Sequence, residues 1–346
     1  MSETNQKILD MILKNASCNE IASATGLSNK QLFHRLNMLK IKGYNFSRKY
    51  YYDGEITYKL NKGFQKEKEI SLLTSSKDTK FKAVFLSDLH ICNEKERLDV
   101  FYNVYDFCIK EGINIIINAG DLIDGLLGVN NKKFNTIEEQ IEYALKIHPY
   151  DKNILNFICL GNHEYDALEN SGQNIESVLL NRRHDIVPLG YGIGTLNIKN
   201  DKIIVRHPKT PTIQPIEPII NGLMVVGHTH KSKNIINGNL VSIYVSSLSD
   251  MKVNGEENYP FPSFVKATID FTNGVFSKSV FEQYIFVDKM YKISESHYDL
   301  SKGKDIHQKN TKYEEDRIPY KEEKEKVLKK ENRPSQIDKF NKRYSK

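Results

Sequence analysis

Five segments of this 346-residue sequence place metal-coordinating residue types at the end of an apolar run. KAVFLS (82–87) leads into Asp88-Leu89-His90, INIIINA (113–119) into Gly120-Asp121, and ILNFICL (154–160) into Gly161-Asn162-His163-Glu164. KIIVR (202–206) leads into His207, and GLMVV (222–226) into Gly227-His228-Thr229-His230. Carboxylate and amide oxygens mixed with imidazole nitrogens suit Mn, Fe, Zn or Ni better than Mg or Ca, which prefer all-oxygen shells. The apolar runs read as buried strands, and ligands at strand ends converge on one edge of a sheet, where open α/β folds place their sites. A single D-x-H or G-D carries no weight, since an isolated histidine is more often a hydrogen-bonded structural residue. Five such matches in order, each at a strand terminus, are hard to obtain by chance.

The ordered set D-x-H, G-D, G-N-H-E, H and G-H-x-H resembles the calcineurin-like metallophosphoesterase superfamily, over roughly residues 80–285. The resemblance implies an α/β fold of two facing mixed sheets with helices outside, a four-layer αββα sandwich. It also implies two divalent transition-metal ions, with Mn expected and Fe, Zn or Ni as alternatives. One would be held by Asp88, His90 and His230, the other by Asn162, His207 and His228, with Asp121 bridging. Two cations about 3.5–4 Å apart acidify a shared water and neutralise charge on phosphoryl oxygens. His163 is expected beside the metals, stabilising the transition state or protonating the leaving oxygen. Glu164 is expected to orient its loop. The family's fourth motif is a single histidine, and His207, which follows a strand, fits it better than His184 in the loop-like NRRHD segment. Cys92 reads as a bystander beside a full ligand set. Gly120, Gly161 and Gly227 would let backbone pass close to the metals.

The elements that carry these residues follow from periodicity. Helical patterns at Leu98–Lys110 and Ile137–Ile147 alternate with the first three strands, and a further apolar run spans Leu240–Ser246. Upstream, residues 1–62 read as a separate unit. A helix spans Gln6–Lys14, and Ser17/Glu20 and Ser28/Gln31 are capping-box pairs that open two more, with Gly26 between them. Phe46–Tyr52 and Glu55–Leu60 flank Asp53-Gly54, a hairpin turn signal. This order resembles a winged helix-turn-helix. Placing Leu32, Leu36 and Leu39 inward puts Lys30, His34 and Asn37 on the opposite face of the third helix, as contacts for DNA phosphates or base edges. The wing adds Arg48, Lys49 and Tyr50–Tyr52. The polar stretch 63–80 reads as a linker, 81–300 as the phosphoesterase domain, and 301–346 as a basic tail expected to be disordered or partly helical.

Charge agrees with that division. Residues 1–62 hold 10 Lys/Arg against 5 Asp/Glu and residues 301–346 hold 15 against 9, while the centre holds 25 against 30. Basic ends on a mildly acidic centre suit a polyanionic partner, and a solvated surface explains them equally well. Lys132 and Lys133, in the loop Gly125–Phe134, would also suit a phosphate backbone. No run approaches the ~18 apolar residues of a membrane span. The start lacks a signal-peptide pattern, and the four scattered cysteines indicate a reducing compartment, so a cytoplasmic location without membrane contact is expected. The leading expectation is a phosphodiesterase or nuclease tethered to DNA by its winged helix. The alternatives are a protein or small-nucleotide phosphatase whose winged helix docks a protein, or a DNA-binding regulator with a non-catalytic phosphoesterase unit.

Overall fold

Side-chain parity along the central strands decides the layering. A computed structural model describes residues 2–41, 44, 46–60, 70–75, 77–126, 133–209, 221–237, 239–250, 261–301 and 304–310. In β4 (Lys80–Leu86), Phe81, Ala83 and Phe85 face one apolar cluster while Val84 and Leu86 face another. The same split recurs in β5 (Ile115–Asn118) and in β6 (Leu155–Leu160), where Leu155, Phe157 and Cys159 oppose Ile158 and Leu160. Strands apolar on both faces must be covered on both, which explains the continuous apolar runs. Helices α4 (Leu98–Glu111), α5 (Ile137–Ile147) and α7 (Ile175–Arg182) cover the outer side through Val100, Phe101, Val104, Ile141 and Leu179. A second sheet covers the inner side through Leu196, Ile203, Val205, Leu223, Val225 and Ile243.

The first sheet continues β4–β5–β6 in parallel to β7 (Ile186–Tyr191). On its other side it runs antiparallel through β13 (Ser263–Thr272), β14 (Val275–Phe286), β15 (Met290–Asp299) and β16 (Lys304–Asn310). The second sheet contains β8 (Ile193–Ile198), β9 (Asp201–Arg206), β10 (Asn221–Val226), β11 (Lys233–Asn237) and β12 (Asn239–Tyr244). The chain is therefore a mixed α/β fold with two mixed sheets. The outer apolar cluster of the second sheet, Ile204, Met224, Val226, Leu240 and Tyr244, holds no helical residue among the described residues. The fourth layer of the expected sandwich is thus not found among them. No helix there is long and apolar enough to cross a membrane.

The amino-terminal elements form as their caps dictate. α1 (Glu3–Leu13), α2 (Cys18–Thr25) and α3 (Asn29–Ile41) precede the antiparallel hairpin β1 (Phe46–Tyr51) and β2 (Ile56–Leu60). Ser17 and Glu20 cap each other's backbone reciprocally, as do Ser28 and Gln31. Leu32, Leu36 and Leu39 are buried as the periodicity requires.

The linker expectation is corrected at Ile70–Leu73. These residues form β3, which pairs in parallel with both β1 and β8 and joins the hairpin to the second sheet. Polar flanks hide the strand in the sequence, but Leu72 is 2% exposed and supplies the apolar anchor. Tyr50 then meets Phe157 of the first sheet edge-on at 5.9 Å, and Tyr52 accepts a hydrogen bond from the Lys82 amide at 2.6 Å. The turn residue Asp53 accepts from Asn114 Nδ2, and a Cβ on Gly54 would collide with the Asn153 backbone. The tail expectation is corrected too, because Lys304–Asn310 adds a strand beside β15. Residues 311–346 lie outside the described residues.

The hairpin therefore behaves as part of the body. Tyr50→Ala is expected to cost about 3 kcal/mol, from lost burial and the cavity left behind. Thermal unfolding should show one transition that moves as a whole. Two transitions, with the larger unmoved, would mean that the hairpin folds independently.

Candidate metal centre

Each of the five motifs lies just past the carboxyl end of its strand, and two parallel sets bring those ends together. β4, β5 and β6 run parallel in one sheet, and β9 and β10 run parallel in the other. Backbone bonds lace the following loops into a continuous ladder. The Asp88 amide donates to Gly120 O at 2.9 Å, His90 to Asp121 O at 3.0 Å, and Gly227 to Arg206 O at 3.0 Å. Asp88, His90, Asp121, His228 and His230 all adopt positive φ, between 44° and 72°. That conformation costs non-glycine residues about 1 kcal/mol or more each, and it persists only where surrounding structure imposes it.

The side chains meet in two overlapping groups. His230 Nε2 lies 3.2 Å from Asp88 Oδ1 and 3.3 Å from His90 Nε2. His207 Nε2 lies 3.0 Å from both Asp121 Oδ2 and Asn162 Oδ1, and His228 Nδ1 lies 2.9 Å from Asn162 Oδ1. Asp121 Oδ2 is also 3.9 Å from His90 Nε2, so one carboxylate reaches both groups. All seven residues singled out in the sequence share one cup, five of them buried and Asn162 and His228 half-buried, and His184 instead packs against Phe33 and Tyr150.

These atoms fit divalent cations on their own chemistry. Asp88 Oδ1 is buried without a hydrogen bond, although it faces the interior of the cup. His207 Nδ1 is 2.7 Å from Ala119 O, which makes Nδ1–H the donor to that carbonyl and aims Nε2 at two oxygens. Burial, with a smaller opposing pull from Asp121, brings His90 down to about 3, so its ring is neutral at ordinary pH. Burial alone would raise Asp88, but His230 and His207 outweigh it and set the carboxyl at about 2. Burial would likewise lower His207, yet Asp121 outweighs it and brings His207 to about 9 in the absence of a cation. Two anionic carboxylates and the neutral His90 ring converge with the other donors on one cup, and a cation bound there would displace the proton that His207 carries without it.

The supporting residues explain the motif spacings. A Cβ on Gly120 would overlap the His207 ring and one on Gly161 would overlap the Asp121 carboxylate, so neither position accepts a side chain. Glu164 is fully buried, and its two oxygens accept from Ile123 N at 2.8 Å and Gly161 N at 2.7 Å. It braces the loop, as expected, and burial followed by the nearby Asp121 raises it to about 7. His163 Nε2 lies 3.9 Å from Asp121 Oδ2, while its Nδ1 is in close contact with the Asp124 carbonyl. Burial disfavours its charged form, but Asp121 and that carbonyl outweigh burial and hold its pKa above the usual value. Cys92 is buried with its thiol on Gln140 O, outside the ligand groups.

Sequence reasoning missed Ser246 and Ser247, whose hydroxyls donate to His230 O and Asp88 O at 2.8 Å each. The available signal was the small polar run SSLS at the end of β12, which mirrors the other strand ends.

Of the expected nucleic-acid contacts, Lys30, His34 and Lys49 are exposed. Asn37 and Arg48 are not offered to solvent in the expected way. Asn37 donates to Asn181 O at 2.6 Å. Arg48 donates to Leu180 O and lies 5.2 Å over Phe33 and 5.9 Å over Tyr58. Alternation along β1 explains the difference, since Phe46, Arg48 and Tyr50 share the inner face and Lys49 points outward. Lys132 lies outside the described residues, and Lys133 pairs with Glu96 at 3.1 Å.

Comparison with known proteins gives one family match. Residues 81–221 match the family model described as calcineurin-like phosphoesterase. No curated protein matches the sequence. Among solved structures, vacuolar protein sorting 29 from Cryptosporidium parvum is 17% identical, covering 64% of this chain and 100% of its own, with a TM-score of 0.43. The phosphoesterase Yfce from E. coli is 16% identical, with 57% and 96% covered and a TM-score of 0.35. The nuclease MPE from Pseudomonas putida is 14% identical, with 61% and 86% covered and a TM-score of 0.33.

His207→Ala and Asp121→Asn are expected to weaken Mn binding by at least about tenfold, read by titration calorimetry. His163→Ala should bind Mn as wild type does. Loss of Mn from the His163 variant would make that residue a ligand.

Proposed function

We propose that this chain is a two-metal phosphoester hydrolase acting on phosphodiesters of nucleic acid or nucleotides, with residues 1–62 serving as a winged-helix module that holds DNA. The observation that carries the reading is the position of Asp121 Oδ2, 3.0 Å from His207 Nε2 and 3.9 Å from His90 Nε2, between two donor sets. The phosphoesterase match over residues 81–221 supports hydrolysis as the reaction class.

In this reading Asp88, His90 and His230 would hold one cation and Asn162, His207 and His228 the other, and Asp121 would serve both. When bound, such a pair neutralises phosphoryl oxygens and makes water between its members more acidic. The chain's own residues do the rest. His163, with Nδ1 fixed on the Asp124 carbonyl and its pKa raised, presents Nε2 as the proton donor to the leaving oxygen. Glu164 takes no part in proton transfer, because both its oxygens are committed to backbone amides. Ser246 and Ser247 hold the loops bearing His230 and Asp88.

Hydrolysis of bis-p-nitrophenyl phosphate by protein supplied in turn with Mn, Fe, Zn and Ni tests the reaction class. Turnover that falls by about 10³ or more in His163→Ala or Asp121→Asn is expected. Wild type that turns over with none of the four metals would overturn the reading in favour of a binding protein.

The DNA module rests on the exposed Lys30, His34 and Lys49 and on the basic balance of residues 1–62. Lys30→Ala and Lys49→Ala should each weaken duplex binding several-fold and lower the salt slope by about 1. Unchanged binding in the double variant would favour the second reading, a phosphatase with a protein-docking module. That reading draws on the withdrawal of Asn37 and Arg48 into contacts with α7.

A further inference from the structure

The Asn162 and His207 segments touch twice. The first contact is Asn162 Oδ1 with His207 Nε2 at 3.0 Å, inside the cup. The second lies at the rim, where the Lys209 ammonium sits 3.3 Å from the ring centroid of Tyr165. Tyr165 follows Asn162 on α6 (Asn162–Ser171) at i+3, so the two share a helix face about 4.5 Å apart along the axis. Lys209 leaves β9 just past His207. The ring is braced: Tyr165 is half-buried and meets Tyr191 edge-on at 6.2 Å. The residue after Tyr191, Gly192, accepts the His207 amide at 2.8 Å. Lys209 itself is exposed.

A cation resting on an aromatic face is held by the ring's quadrupole, which leaves its N–H groups to be offered to oxygen acceptors. An exposed lysine usually loses much rotamer freedom on binding a ligand, and a rigid ring that already orders it lowers that cost. The ring that holds this charge stands one helical turn from Asn162, so the charge is available to an anionic group bound beside the reacting one.

We propose that Tyr165 and Lys209 form a subsite for a second phosphate of a nucleic-acid strand, the phosphodiester adjacent to the scissile one. This rests on the phosphodiesterase reading above and adds a substrate requirement, a strand with at least two consecutive phosphates. Lys209 binds the non-reacting phosphate, and Tyr165 positions Lys209. The subsite lies outside the cup, so it governs selection among diesters and takes no part in bond cleavage.

The test compares kcat/KM of Mn-loaded protein on three thymidine oligomers: the dinucleotide without terminal phosphate, the same dinucleotide with a 5′-phosphate, and the trinucleotide without terminal phosphate. Wild type should favour the trinucleotide over the plain dinucleotide by about tenfold, mainly through KM. Lys209→Ala should abolish that preference and Lys209→Arg restore most of it. Tyr165→Phe should keep it, and Tyr165→Ala should reduce it about threefold. A trinucleotide preference that survives Lys209→Ala, or that is absent from wild type, would overturn the subsite. Preference for the 5′-phosphorylated dinucleotide alone would assign Lys209 to a terminal monoester and overturn the strand assignment. Bis-p-nitrophenyl phosphate separates the two levels. If wild type hydrolyses it, any of those failures falls on the subsite; if wild type hydrolyses no diester, the parent reading fails and takes the subsite with it.

Discussion

Two carboxylates and five imidazole or amide side chains share one cup, and the need to offset two buried negative charges is the constraint around which the rest is arranged. Asp88 and Asp121 remain ionised because charge on neighbouring histidines, His230 first for Asp88 and His207 first for Asp121, outweighs burial. The rings of His90 and His228 are pushed toward neutrality, by burial and then, in His228, by the neighbouring His207. Positive charge on His207, or on bound cations in the proposed reading, offsets the two buried carboxylates. The strained backbone at five of those positions and the two glycines that admit His207 and Asp121 are consequences of the same crowding.

Two sheets rather than one satisfy this constraint. Parallel strand ends of the first sheet supply Asp88, Asp121 and Asn162, and those of the second supply His207, His228 and His230. The apolar interior between the sheets therefore sets the spacing of the ligands. β3 extends that interior to the amino-terminal hairpin, so Tyr50 on Phe157 belongs to the same packed unit as the strands that aim the ligands. An element that reads as a tethered module in the sequence is held in a fixed orientation to the site.

In the proposed reading the fixed orientation would bear on substrate choice. α3 gives Asn37 to α7 and keeps Lys30 and His34 outward, while the cation at the rim of the cup is set by Tyr165 rather than by the amino-terminal unit. In the proposed reading, recognition of a polyanion would be spread over surfaces whose separation the fold determines.

The sequence by itself determined the candidate metal-donor set, since donor chemistry belongs to side-chain types and each type stands at the end of an apolar run. It likewise determined the capped helices and the hairpin, whose signals lie within a few residues of one another. It did not disclose β3, because a short strand with polar flanks forms only when β1 and β8 are already there to pair with. Nor did it disclose the inward turn of Arg48, because parity along a strand has no sign until a neighbour chooses which face is buried. The serine braces and the Tyr165–Lys209 contact depend on segments distant in sequence meeting in space. Local chemistry could be read along the chain, whereas the side each residue faces and the partner it meets were settled only by packing.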